Sequence, residues 1–203
     1  MTNPIPINLA VADALSEAIL RKMLEQSQRD FVIGNCYNRR GYGYLKKTIR
    51  GFNNAAKGTP YLVLTDLDKN ECSLALIKKW LPQPKHPNLL FRIAVREVES
   101  WVLGDREAFA RFLGIKQELI PHDVDDLEDP KKKLIDLARK SKKRGDIVPA
   151  KGSTAKIGPD YNGQLIDFIT NYWQVEVAAL SSPSLKRAYD AILTFEPTWQ
   201  QTE

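Results

Sequence analysis

Asp66 and Asp68 are separated by a single residue and follow the run Tyr61-Leu62-Val63-Leu64-Thr65. A short apolar run rich in β-formers predicts a buried strand. Side chains at i and i+2 leave a strand's end on the same side. Two carboxylates so placed at the C-terminal edge of a parallel sheet offer hard oxygen ligands to a divalent cation such as Mg²⁺. The same stretch, Asp66-Leu67-Asp68-Lys69-Asn70, would also serve as a polar turn that caps the next helix. The company these acids keep decides between the two.

A second acidic segment supplies that company. Leu89 to Val95 predicts another strand, and it runs straight into Arg96, Glu97, Glu99 and Trp101. Neighbouring parallel strands end on one edge, which would gather Asp66, Asp68, Glu97 and Glu99. The alternative is a helix start decorated with acids, which the helix dipole favours. Lys69 and Arg96 flank the acids and could stabilise charge on a phosphate, or simply end their elements as solvated or ion-paired cations.

Three further stretches carry cations. Tyr37 to Tyr44 interleaves Arg39, Arg40 and Tyr42 with glycines, and Lys46 follows. Cations neutralise phosphates, aromatic faces stack on unpaired bases, and glycines permit close approach. The spacing is not that of a phosphate-cradling GxxxxGK[ST] loop, and the tyrosines could instead anchor the following helix. In the glycine-rich stretch from 152 to 162, Lys156, with Lys151, Ser153 and Thr154, could bind a phosphate over the acidic edge; otherwise it is an ordered loop packed on the core. The helix expected from Lys131 to Arg139 is amphipathic, and its cations are expected to face solvent. His86 and His122 have no companions at ligand spacing. Trp101, Trp173 and Trp199 read as packing residues.

The elements that must position these groups alternate. Strands are expected at Ile5 to Val11, Phe31 to Gly34, Tyr61 to Thr65 and Leu89 to Val95. Helices are expected from about 15 to 24, 44 to 56 and 73 to 80, the last capped by Ser73 or Asn70. Such alternation predicts a mostly parallel sheet flanked by helices. From Arg96 onward the pattern is helix and loop: a helix from Arg96 to Leu103, one capped by Asp105 and stopped by Gly114, one opened by Asp129-Pro130, and two more from 163 to 172 and 184 to 195. The expected layout is an α/β core over 1–104 and a helical extension over 105–203 packed on it.

Composition narrows the partners. The net charge of +5 over 203 residues is compatible with nucleic-acid binding without establishing it. No apolar run approaches the roughly 20 residues of a membrane span, so no membrane partner is expected. Met1-Thr2-Asn3-Pro4 opens no export signal. A reducing, cytoplasmic setting is therefore expected, with Cys36 and Cys72 as free thiols. Two cysteines and two histidines make a Cys/His zinc site improbable.

The order of strand, helix, a later strand ending in DxD, and a strand leading into an acidic helix resembles the Toprim domain. That domain occurs in primases, topoisomerases and nucleases of the overcoming-lysogenization-defect type. TDLDKNEC followed by FRIAVREVESWVLGD is similar to an uncharacterised bacterial Toprim-related family, some of whose relatives serve in phage defence. DPKKKL, GSTAKIGPDYN and SPSLKRA in the second half look like further pieces of it. The resemblance implies a Toprim-like fold, Mg²⁺ (or Mn²⁺) as cofactor, nuclease or phosphodiester-transfer activity on DNA or RNA, and a partner protein of a defence system.

It also implies a glutamate at the end of the first strand, where this chain has Ala12. Asp13 is adjacent, and Glu17 lies just inside the next helix. Either the catalytic set is Glu17, Asp66, Asp68 and Glu97, with metal on Asp66, Asp68, Glu97 and Glu99, or an essential ligand has been lost. The second case would leave a degenerate module that binds nucleic acid or protein. A phosphatase of haloacid-dehalogenase type also uses hhhhDxD, but on its first strand and with glycine and threonine following, and the chain departs from both.

Overall fold

A computed structural model describes residues 4–38 and 41–199. In chain order the elements are β1 (Ile5–Val11), α1 (Ala14–Gln26), β2 (Phe31–Tyr37), α2 (Gly41–Ala55), β3 (Tyr61–Asp66), α3 (Ser73–Trp80), β4 (Leu89–Ala94), α4 (Glu99–Gly104), α5 (Arg106–Leu113), α6 (Pro130–Ala138), α7 (Arg144–Ile147), α8 (Tyr161–Asn171), α9 (Val175–Ala179) and α10 (Pro183–Leu193). Two 3₁₀ turns, Gln117–Leu119 and Val124–Asp126, interrupt the stretch between α5 and α6.

The four strands form one all-parallel sheet in the order β2-β1-β3-β4. Alternation along each strand gives the sheet two buried faces. Ile7, Leu9, Val11, Leu62, Leu64, Leu90 and Ala94 point to one, where α1 and the helices from α4 onward pack. Ala10, Tyr61, Val63, Leu89, Phe91 and Ile93 point to the other, covered by α2 and α3. The helical second half is thus the cover of one sheet face. α4 is buried at every position, and Gly104 lets it approach α9: a Cβ there would stand 2.6 Å from the Ala178 carbonyl oxygen.

The chain steps from β1 outward to β2, then returns to the other side of β1 for β3 and β4. The direction of winding therefore reverses between β1 and β3. In open parallel sheets the crevice at such a reversal, outside the carboxyl ends of the strands, is where ligands bind. The ends that meet there carry Asp13 and Asp66.

Several boundaries differ from the sequence expectation for identifiable reasons. Helix α4 begins at Glu99 because Arg96 takes a left-handed conformation (φ 59°) and turns the chain sharply after β4. Helix α3 is capped by the Cys72 thiol, which accepts from the Ala75 amide, and neither Ser73 nor Asn70 fills that role. Strand β2 extends to Tyr37 through a bulge, the register shifting between Ile7 and Leu9 of β1. Asn8 Oδ1 accepts the Asn35 amide at this bulge and lies where a Cβ on Gly34 would clash. Trp101 and Trp173 are fully buried, whereas Trp199 is exposed. No helix among the described residues is long and apolar enough to cross a membrane.

Candidate functional site

The turn after β1 sets the first acid. Asp13 is the N-cap of α1, and its Oδ1 accepts the Ser16 amide at 2.8 Å. One oxygen is thereby fixed on the helix while the residue stays solvent-exposed. Its charge acts on Asp66, which lies across the crevice at the end of β3. Glu17, one turn further along α1, is engaged by other partners. It pairs with Arg21 at 2.8 Å and accepts a hydrogen bond from Asn38. Burial opposes its ionised form, but hydrogen bonds from Arg21, Asn38 and Cys36 hold its pKa below the usual glutamate value. Burial and Glu17 together push the Cys36 thiol up to about 11.

Asp66 closes β3, and its Oδ1 accepts the Val98 amide at 3.0 Å, tying β3 to the start of α4. Its pKa is raised well above the ordinary aspartate value, first by burial and then by the charges of Glu99 and Asp13, with Lys131 opposing and Glu97 adding to the rise. The site is therefore short of positive charge around Asp66. Asp68 is exposed and left-handed (φ 50°), and its amide donates to the Arg96 carbonyl at 2.8 Å. The Arg96 guanidinium returns hydrogen bonds to the carbonyls of Asp68 and Asn70 at 2.9 and 3.2 Å. Three non-glycine residues among those described have positive φ, and two of them, Asp68 and Arg96, are interlocked here. Left-handed backbone costs on the order of 1–3 kcal/mol per residue and concentrates at functional sites.

Glu97 and Glu99, expected at this edge with Asp66 and Asp68, are paired with a lysine that was expected to face solvent. Glu97 Oε2 accepts the Lys131 amide at 3.0 Å, one of the free donors in the first turn of α6. The Lys131 ammonium reaches Glu97 Oε1 at 3.5 Å and Glu99 Oε1 at 3.2 Å. Glu99 is only 2% exposed and also receives the Tyr161 hydroxyl on Oε1 at 2.9 Å, while its Oε2 is buried with no hydrogen-bond partner. Burial raises the Glu99 pKa, and Lys131 and the Tyr161 hydroxyl counter it. Burial disfavours the Lys131 charge, yet Glu99 and Glu97 more than reverse this and lift its pKa above the ordinary lysine value. Lys131 is thus no solvated cation on a helix face. Tyr161, read as part of a loop, is a buried helix residue whose pKa is raised by burial and by Glu99.

An open cleft of about 830 Å³ lies against this edge. Asp68, Lys69, Arg96 and Glu97 form one wall, and Lys131, Lys132, Ile135, Asp136 and Arg139 of α6 and its C-cap form another. Lys156 reaches it from the loop after α7. That loop is seated by Gly158, whose amide donates to the Ile147 carbonyl at 2.9 Å; a Cβ there would meet the Asp146 carbonyl oxygen at 2.2 Å. Of the sequence-predicted phosphate contacts, Lys69, Arg96 and Lys156 therefore share one cleft. Tyr42 packs edge-on against Trp80 and accepts a weak hydrogen bond from Asn70. Lys46 is exposed on α2 and does not line the cleft. Arg39 and Arg40 lie outside the described residues.

The donor set is all carboxylate oxygen, the chemistry a hard cation such as Mg²⁺ selects. A buried unpartnered oxygen on Glu99 and an aspartate crowded by like charges fit such an ion. Among the described residues, however, no three His, Cys, Asp or Glu side chains stand at metal-holding spacing. Lys131 meets part of the demand for positive charge instead. Comparison with protein-family models, with curated proteins and with solved structures returned no match.

Proposed function

We propose that the chain is a Toprim-like, Mg²⁺- or Mn²⁺-dependent phosphodiester-transfer protein acting on nucleic acid. The observation that carries this reading is the crowding of Asp66 by Asp13, Glu97 and Glu99 at the reversal point of a parallel sheet, beside a cleft lined by cations and acids together. Asp66 and Asp68 would hold the ion, with Asp13 beside Ala12, where the resemblance implies a glutamate; Glu97 would have to release Lys131 to join them. When bound, a divalent ion supplies polarisation of the scissile phosphate and a stronger nucleophile at neutral pH. The chain's own residues do the rest. Lys69, Arg96 and Lys156 meet the phosphates of a strand lying in the cleft, and Arg96 is held in place by two carbonyls of the Asp68 loop. A defence role with a partner protein belongs to the same reading and rests on the resemblance alone.

The test is cleavage of end-labelled single-stranded DNA, duplex DNA and RNA with Mg²⁺ or Mn²⁺. We expect cleavage that EDTA abolishes and that Asp66→Ala lowers by roughly 100-fold or more. Cleavage unaffected by either would overturn the reading. Salt-sensitive binding without cleavage would favour a binding module, a reading that Ala12 and the Lys131 pairing with Glu97 and Glu99 support.

A further inference from the structure

We infer that the outer edge of β4 is a docking groove for an extended peptide segment of a partner protein, one whose residues alternate between apolar and acidic. The groove runs along the side of the sheet and shares no lining residue with the cleft described above. β4 is an edge strand, paired with β3 alone. The Tyr61 and Leu67 amides donate to the carbonyls of Asn88 and Ala94. Every second residue of β4 therefore turns its peptide groups toward β3, and Leu89, Phe91 and Ile93 turn theirs outward. Both ends of this outer row are closed. The Leu89 amide donates to the His86 carbonyl, and the Leu89 carbonyl accepts the Lys85 ammonium, each at 2.9 Å. Val95, one residue past the strand, donates its amide to Ser184 Oγ, and its carbonyl accepts the Glu97 amide at 3.1 Å. Between these ends, the outward N–H and C=O groups of Phe91 and Ile93 have no hydrogen-bond partner among the described residues. Such an unpaired row is the template on which an added strand forms.

A cavity of about 620 Å³ opens over that row, between the start of α3 and the first turns of α10. These two helices cover opposite faces of the sheet, and the walls they make differ in chemistry. On the α3 side stand Ile77 and Leu74, the latter 70% exposed. On the α10 side stand Arg187 and Arg92, which shares its face of β4 with Leu90 and Ala94. Arg92 is half-buried, and its Nε is buried with no hydrogen-bond partner. Neither arginine is ion-paired among the described residues, and no carboxylate lines the groove. Burial and then the Arg92 charge lower the pKa of Lys85, so a third cation adds to the positive field at this edge. An incoming strand sends alternate side chains to the two faces of the sheet. Apolar ones would rest on Leu74 and Ile77, and acidic ones would meet Arg92 and Arg187. A second copy of this chain fits less well, because pairing two β4 edges would set Arg92 and Arg187 of one copy against those of the other.

The experiment measures binding of fluorescent peptides, blocked at both ends, to the full chain by anisotropy. One peptide of six residues alternates valine and glutamate, and a second carries lysine in place of glutamate. Two more are the glutamate peptide methylated on one or the other set of alternate backbone nitrogens. We expect saturable binding of the glutamate peptide and binding weaker by roughly tenfold or more for the lysine peptide. One methylated peptide should lose affinity, its methyl groups facing β4, and the other should keep it. Amide exchange at Phe91 and Ile93 should slow in the complex, while Leu90 and Arg92, already paired with β3, should not change. Arg187→Glu, a substitution at an exposed position, is expected to remove the preference for glutamate over lysine. No binding of the glutamate peptide would overturn the inference, as would equal binding of the lysine peptide, equal binding of the two methylated ones, or an unchanged preference in Arg187→Glu. A peptide-free protein that sediments as a dimer with Phe91 and Ile93 already protected would also overturn it, by showing that a second copy holds the edge.

Discussion

At the scale of single residues, Asp66 bears the conflict on which the reading depends. It is half-buried and feels the charges of Glu99, Asp13 and Glu97. Because its folded pKa lies above the unfolded value, the folded state binds the extra proton, and stability falls as pH rises through that interval. The Asp66 contribution to the stability of the metal-free protein is therefore full below the ordinary aspartate pKa and is lost as the pH climbs toward the raised value. Asp66→Asn keeps an acceptor for the Val98 amide while deleting the charge. It is expected to raise stability at neutral pH by about 0.5–2 kcal/mol and to flatten this part of the profile, as read by thermal denaturation in EDTA. A variant no more stable than the parent would show that Asp66 is not held against its neighbours. Asp66 and Glu97 were legible in the sequence because each follows an apolar run that had to be a strand. Asp13 was not, because its orientation depends on a turn of two residues between β1 and α1. Lys131 was not, because its partners lie more than thirty residues away and its spacing on a helix is that of any solvated cation.

At the scale of elements, periodicity and caps gave most of the architecture. The four strands, the cap by Asp105, the stop at Gly114 and the Asp129-Pro130 start all stand where the residues put them. What escaped were features set by tertiary contact: the bulge in β2, the left-handed turn at Arg96, and the short helices α7 and α9. Helix α4 shows why its composition reads as it does. Ser100, Trp101, Val102 and Leu103 are buried on all sides, and Gly104 lies against the backbone of α9. Gly104→Ala would force the two helices apart and is expected to cost about 1–3 kcal/mol, the range for an overpacked core. Urea denaturation would measure it; a change under a few tenths of a kcal/mol would show that α9 can yield.

At the scale of the whole molecule, the division after residue 104 marks a change of secondary structure, with the core running across it. One continuous core joins Ile7, Leu9, Leu62 and Leu64 of the sheet to Phe109, Leu134, Phe168 and Ile192 of the helices beyond it. Residues 1–104 alone would expose that face to water, at roughly 25 cal/mol for each Å² of apolar surface uncovered. This fragment is expected to lack cooperative thermal unfolding and dispersed amide resonances. A fragment that unfolds as sharply as the full chain would show that the sheet needs no such cover. The DxD and REVESW motifs lie in the first half, and the cleft needs both halves, since its second wall is α6 and its rim is Lys156.

Gly158 divides its loop into a part that cannot vary and a part that can. From Gly158 to Tyr161 the backbone is clamped on Asp146 and Ile147, and Tyr161 reaches inward to Glu99. Upstream of the clamp, the exposed tip from Lys151 to Lys156 touches the cleft only at its rim. Lengthening or exchanging that tip would leave the clamp and the Tyr161–Glu99 hydrogen bond in place. The fold thereby separates a seated segment, which sets Tyr161 against Glu99, from a tip whose length and composition could differ between related chains.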